Sequence, residues 1–244
     1  MKLQGYVVSD LHMFSRRSEF ADHMDDIREV AGKADLFVFN GDIFDFRWTT
    51  LPTVEETVDA AISWLKELID QFPDCHFHFI LGNHDNLQVF IDALSELTVP
   101  TPNLSWHPYY LRIGDVVFLH GDVSDGHADA AALERSREQW LHDHSVRRPI
   151  YHSIYDVVVR LGVHRAIQRV AYPKPRVARR LTAYLEDVGL GSLDGIRHVY
   201  FGHTHGAMQN YEYRDMIFHN PGAPIKGVEF NVLPVTVHAE PGEN

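Results

Sequence analysis

Phe77-His78-Phe79-Ile80-Leu81-Gly82-Asn83-His84-Asp85 is the stretch that decides how this chain reads. Its first five residues are a short run of aromatic and aliphatic side chains bounded by glycine, which predicts a buried strand. The next four put an amide, an imidazole and a carboxylate on a turn, where glycine lets the backbone approach a ligand closely. The same construction recurs four times. Ser9-Asp10-Leu11-His12 follows Tyr6–Val8, Gly41-Asp42 follows Leu36–Phe39, His120-Gly121-Asp122 follows Val116–Leu119, and Gly202-His203-Thr204-His205 follows His198–Phe201. Sites in layered α/β proteins collect at the carboxyl ends of strands, so one cleft can receive all five clusters.

Between these strands the pattern is helical. The clearest case is Thr53 to Phe72, with Thr53 and Glu56 as a capping-box signature, an apolar stripe of Ile62, Leu65, Leu68, Ile69 and Phe72, and Pro73 as the stop. Two further strands are predicted at Met216–His219 and Phe230–Val237. The expected architecture is α/β, with layered sheets flanked by helices. Residues 128–190 break the rhythm, showing helical stretches and no convincing strand. From Arg135 to Arg180 they carry eleven of the chain's 22 Lys and Arg residues against three acids. The organisation expected is one domain over residues 1–244 with a helical, cap-like insertion at 128–190.

A formal charge of −12 excludes a protein that coats long nucleic acid over its whole surface, because phosphate neutralisation needs a basic face. Cys75 is the one cysteine, so no internal disulfide forms, and the N-terminus lacks the build of a signal peptide. Charged residues interrupt every apolar run before it reaches the roughly 18–20 residues that span a bilayer. These features predict a cytoplasmic protein, with at most a peripheral contact at the inner face of a membrane.

Oxygen and imidazole donors without thiolates suit hard or borderline divalent ions, with Mn²⁺ expected first and Fe, Zn or Ni as alternatives. Two such ions held by the carboxylates of Asp10 and Asp42, with a bridging hydroxide, leave a net charge of about +1, which attracts a phosphate. Singly, each motif is weak: Asn, Gly and Asp are also turn residues. Five clusters that each follow an apolar strand are specific in combination. Asp45 and Asp122 read equally as supports of the site or as loop caps. His76 and His78 read as one face of a strand, and Asn220-Pro221-Gly222 as a turn.

The motifs D-x-H, GD-x-x-D, GNHD, HGD and GHTH, in this order from Asp10 to His205, resemble the calcineurin-like metallophosphoesterase superfamily. The resemblance implies two divalent metal ions, one held by Asp10, His12, Asp42 and His205 and the other by Asp42, Asn83, His120 and His203. It further implies that His84 contacts the phosphate and assists the leaving group, with Asp85 orienting it, and that Asn83 also meets substrate. Gly41 to Phe46, the nearby Arg47 and Trp48, and the basic insertion are similar to UDP-2,3-diacylglucosamine hydrolases of lipid A synthesis, which cleave a pyrophosphate. Those enzymes typically carry Arg where this chain has His84. On this likeness Arg47, Arg160, Arg165 and Arg169 are expected to bind a phosphorylated, nucleotide-sugar or lipid-linked substrate, the last three from a basic amphipathic helix suited to an anionic membrane. The alternatives are a phosphodiesterase or phosphatase for small soluble nucleotides or sugar phosphates, and a non-enzymatic scaffold on the same fold. Asp45 is followed by Phe46-Arg47-Trp48 rather than Arg-Gly, and Asp85 stands where protein phosphatases have Glu, which argues against a protein phosphatase.

Overall fold

The computed structural model describes residues 1–126, 129–143, 145–147 and 170–238. Arg160, Arg165 and Arg169 lie outside the described residues, as does most of the basic helix predicted around them. Among the described residues ten strands form two five-stranded sheets. The first has the order β10 (Leu233–His238), β1 (Lys2–Val8), β2 (Leu36–Asn40), β3 (His76–Ile80), β4 (Leu104–His107). Strands β1 to β4 run parallel, and β10 returns antiparallel beside β1. The second has the order β5 (Tyr110–Ile113), β6 (Val116–Leu119), β7 (His198–Phe201), β9 (Met216–Asn220), β8 (Met208–Tyr213), with β6, β7 and β9 parallel.

Parallel strands need crossovers, and here the crossovers are the helices α1 (Met24–Ala31), α2 (Val54–Gln71) and α3 (Gln88–Thr98) on the first sheet. On the second, α4 (Ala130–Leu141) and α5 (Lys174–Asp187) lie between β6 and β7 in sequence. The Thr53 side chain accepts from the Glu56 amide at 3.1 Å, so α2 starts where its capping signature predicts.

Side-chain alternation sorts the strands into layers. On β2 and β3, Phe37, Phe39, Phe77 and Phe79 point to one face and pack with Ile27, Leu65, Leu68, Phe90 and Leu94 from the three helices. Leu36, Val38 and Ile80 point to the other face and meet Phe118, Tyr200 and Val235 between the sheets. The outer face of the second sheet, Val117, Leu119, Val199, Phe201 and Phe218, is covered by Val177, Leu181, Tyr184 and Leu185 of α5. The result is four layers, α/β/β/α. Because β2 is buried on both faces it reads as a continuous apolar run, the mark of a central parallel strand.

The structure differs from the sequence reading at several elements. Strands β4, β5 and β8 were not expected: they are short and half-exposed, so they lack both the apolar run and a clean alternation. The strand predicted at Phe230–Val237 is β10, starting at Leu233, with Phe230 instead in an isolated bridge to Gly222. Helix α5 falls inside residues 128–190, yet it is built into the core of the second sheet. Among the described residues no helix is long and apolar enough to cross a membrane.

Candidate metal centre

Asp10, Asp42, Asn83, His120, His203 and His205 all follow the carboxyl ends of parallel strands, and the sandwich brings them together at one edge. Three groups of donor atoms converge within 4.8 Å: Asp10, His12 and His205; Asp42, His120 and His203; and His12, Asp42 and His84. The first two each bring together three of the four residues expected around one ion, and Asp42 belongs to both the second and the third group.

The backbone at these positions is strained. Asp10, His12, Asp42, His203 and His205 all have left-handed φ, at 54°, 46°, 53°, 63° and 53°. Such a conformation costs a non-glycine residue about 1–3 kcal/mol and persists where the surroundings impose it, most often at functional sites. Gly82 and Gly202 make the close approach possible. A β-carbon at Gly82 would stand 2.9 Å from Asp42 Cγ and nearer still to its Oδ1, and one at Gly202 would meet Ser9 Oγ at 2.7 Å and crowd Asp10.

The pattern of donors and acceptors fits a cation. His120 Nδ1 faces the Asn40 carbonyl at 3.4 Å and His203 Nε2 lies 2.9 Å from the Asp125 carboxylate, acceptors that favour a proton on those nitrogens when the rings are neutral. The other ring nitrogens then present lone pairs. His120 Nε2 and His203 Nδ1 each lie 3.1 Å from Asn83 Oδ1, and His120 Nε2 lies 3.3 Å from Asp42 Oδ2. These four atoms converge, and with both imidazoles neutral all four are the lone-pair donors that a shared cation needs. On the other side His12 Nε2 and His205 Nε2 are 3.0 Å apart, with Asp10 Oδ1 3.4 Å from His205. Burial would push the Asp10 and Asp42 carboxyls up, but His205 beside Asp10 and His120 and His84 beside Asp42 hold both below the usual carboxylate range. Both are therefore anionic at neutral pH.

Asp45 sits behind this cluster. It accepts from Arg17 at 2.9 Å, caps the Trp48 amide at 3.0 Å, and lies 3.1 Å from His84 Nδ1 and 3.6 Å from His12 Nδ1. Asp45, not Asp85, is thus the carboxylate that orients His84. Asp85 instead accepts the amides of Ile43, Phe44 and Gly82, which locks the loop carrying Asp42 against the loop carrying Asn83. Adjacency in sequence misled here, because the Asp85 side chain turns inward to satisfy buried N–H groups. Burial lowers the basicity of His84, yet the charges of Asp45 and Asp42 outweigh it and raise the imidazole above its ordinary pKa.

Other residues brace the loops. Asp122 and Arg137 form a buried two-pronged ion pair at 2.8 and 2.9 Å, tying the His120 loop to α4. Asn220 donates to the Gly202 carbonyl at 2.9 Å and to Thr204 Oγ1 at 3.2 Å, so Asn220-Pro221-Gly222 holds the histidine loop as well as turning the chain. Arg47 stacks on Trp140 at 3.3 Å and lies 3.7 Å from Asp143, contacts that pin the Asp45–Trp48 loop to the end of α4. Arg17, Asp125, Arg137 and Tyr172 carry no motif, and periodicity alone could not have singled them out. His78 and His107 pair at 3.3 Å across β3 and β4, apart from this cluster.

A two-sheet α/β sandwich that gathers His, Asp and Asn side chains at one edge has the donor set of a divalent-metal site. The sequence from residue 6 to residue 207 matches the calcineurin-like phosphoesterase family, and the chain belongs to that family. It is accordingly a metal-dependent phosphoester hydrolase, and the family implies a dinuclear divalent centre. Among solved structures it is similar to the phosphopantetheinyl hydrolase of Mycobacterium tuberculosis, at 16% identity over 91% of this chain and 90% of that one, with a TM-score of 0.46. It is also similar to a dimetal phosphatase from Danio rerio, at 11% identity over 97% and 99%, with a TM-score of 0.44. No curated protein sequence matches it.

Proposed function

We propose that the chain hydrolyses a pyrophosphate or phosphodiester bond in a nucleotide-sugar or lipid-linked substrate, using two divalent ions, with Mn²⁺ the first choice. The observation that carries the two-ion part is the convergence of Asp10, His12 and His205 beside Asp42, His120 and His203, with Asn83 Oδ1 3.1 Å from both histidines of the second group. In this reading Asp10, His12, Asp42 and His205 hold one ion and Asp42, Asn83, His120 and His203 the other. Bound ions would supply charge neutralisation and activation of the attacking water. The remaining work belongs to the chain. Asn83 and the left-handed loops fix the phosphoryl position, and His84, held at Nδ1 by Asp45, presents Nε2 to the leaving oxygen and gives it a proton.

The substrate class is supported by the basic character of α5. Lys174, Arg176 and Arg179 are exposed on α5, and Arg180 of the same helix donates to the Ser124 carbonyl beside the His120 loop. Arg160, Arg165 and Arg169 extend the same basic character in the sequence. A basic helix that meets the His120 loop through Arg180 suits a phosphate-rich headgroup and, at the inner surface of a membrane, an acylated one. The second reading, a phosphodiesterase or phosphatase for soluble nucleotides or sugar phosphates, can use the same basic residues to bind phosphate and differs in needing no membrane.

Turnover of nucleotide-sugar and lipid-linked pyrophosphates is therefore expected to exceed that of small diesters, with liposome binding that weakens when Arg160, Arg165 and Arg169 are neutralised. Hydrolysis of small diesters alone, with liposome binding unchanged by the neutralisation, favours the second reading. Asp42→Ala is expected to abolish hydrolysis of every substrate, and full activity in that variant would overturn the metal mechanism.

A further inference from the structure

The two ring nitrogens of His203 face different partners. Nδ1 lies 3.1 Å from Asn83 Oδ1, on the side where Asp42 and His120 converge. Nε2 lies 2.9 Å from Asp125 Oδ1, and that same oxygen accepts a 2.5 Å hydrogen bond from the Tyr172 hydroxyl. Neither Asp125 nor Tyr172 belongs to a strand-end motif. Asp125 ends the single 3-10 turn Asp122–Asp125, which is flanked by Gly121 and Gly126, both left-handed at φ 102° and 114°. That turn is clamped along its length: Asp122 by Arg137, the Ser124 carbonyl by Arg180, and Asp125 by Tyr172. Tyr172 also sets its ring edge-on to His203, with centroids 6.0 Å apart.

A carboxylate on the far nitrogen of a ligating imidazole fixes which nitrogen carries the proton, orients the ring and raises its basicity. We propose that Asp125, held by Tyr172, is a positioning residue that keeps His203 in the tautomer whose Nδ1 can ligate, so that the Asp42/Asn83/His120/His203 half of the centre depends on it. The inference rests on the two-ion reading above and adds an asymmetry to it. His12 is placed differently: its Nδ1 lies 3.6 Å from Asp45 and 3.0 Å from the Arg17 guanidinium, which can only donate to it, so the Asp10/His12/Asp42/His205 half does not depend on Asp125. Tyr172 lies two residues before α5, so the approach to that helix is joined by this hydrogen bond to this half of the centre.

The test is chelator competition on the full-length protein loaded with Mn²⁺, followed by electron paramagnetic resonance, which distinguishes a coupled pair of ions from a single one. Wild type is expected to show the coupled signal and release both ions over one range of chelator. Asp125→Asn keeps the shape, but its amide donates to Nε2 and so favours the wrong tautomer. It is expected to release one ion at about 10- to 100-fold lower chelator, leaving an isolated-ion signal, as expected when an outer-shell partner is lost. Tyr172→Phe should show the same loss to a smaller degree, and Asp125→Glu should restore part of the affinity. A coupled signal with wild-type retention in both Asp125→Asn and Tyr172→Phe would overturn the proposal. Wild type that never shows two ions would instead overturn the two-ion reading on which it rests.

Discussion

Gly82→Ala is a one-carbon change whose effect follows from the packing of two loops. The new methyl would stand 2.9 Å from Asp42 Cγ and closer to Oδ1 and the Asp42 amide nitrogen. Ordinary carbon contacts lie at roughly 3.5–4.0 Å, so the carboxylate must retreat by about 0.5–1 Å. It has little room: Asp42 is 1% exposed, and its Oδ1 accepts the His84 amide at 2.8 Å. A misplacement of about 1 Å in reacting groups costs on the order of 100-fold in rate. Overpacking of this kind costs about 1–3 kcal/mol in stability, a fall of roughly 2–12 °C in Tm for a domain of this size. Gly206→Ala is the internal control, because a β-carbon there meets nothing nearer than Thr204 atoms at 3.9 Å. Thermal melts and steady-state hydrolysis of a chromogenic phosphodiester measure both quantities. Loss of about 100-fold in kcat/KM at Gly82 with little change at Gly206 is expected. Wild-type kcat/KM in Gly82→Ala would refute the claim that close approach to Asp42 is what glycine provides here.

Asp45→Ala removes the carboxylate behind both His84 and His12, and kcat should fall by about 100-fold or more with a smaller change in KM, measured on the same diester. An unaltered kcat would mean that His84 needs no orienting partner. Arg137→Ala strands the buried Asp122 charge and should cost about 3–5 kcal/mol in denaturant unfolding. A cost under about 1 kcal/mol would show that the pair does not brace the His120 loop.

What the sequence made legible was whatever local pattern controls. β2 announces itself as an apolar run because it is buried on both faces, β3 through its buried Phe77, Phe79 and Ile80, and the residues just past them are the clustered donors because strand ends converge. Helix α2 is readable from the Thr53/Glu56 cap, its apolar stripe and Pro73. The edge strands β4 and β5 escaped notice because half-exposed strands lose that contrast. The supports of the centre were the harder part: Arg17, Asp125, Arg137 and Tyr172 act through tertiary contacts that no spacing encodes. Asp85 shows the same limit, since its neighbour in sequence is His84 while its hydrogen-bond partners are Ile43, Phe44 and Gly82.

The central claim is that Asp42 lies between two ions. Crystals grown with Mn²⁺ and measured at a wavelength where manganese scatters anomalously test it directly. Two peaks about 3.5–4 Å apart are predicted, one beside Asp10, His12 and His205 and one beside Asn83, His120 and His203, with Asp42 touching both. A single peak, or two peaks that Asp42 does not join, would contradict it.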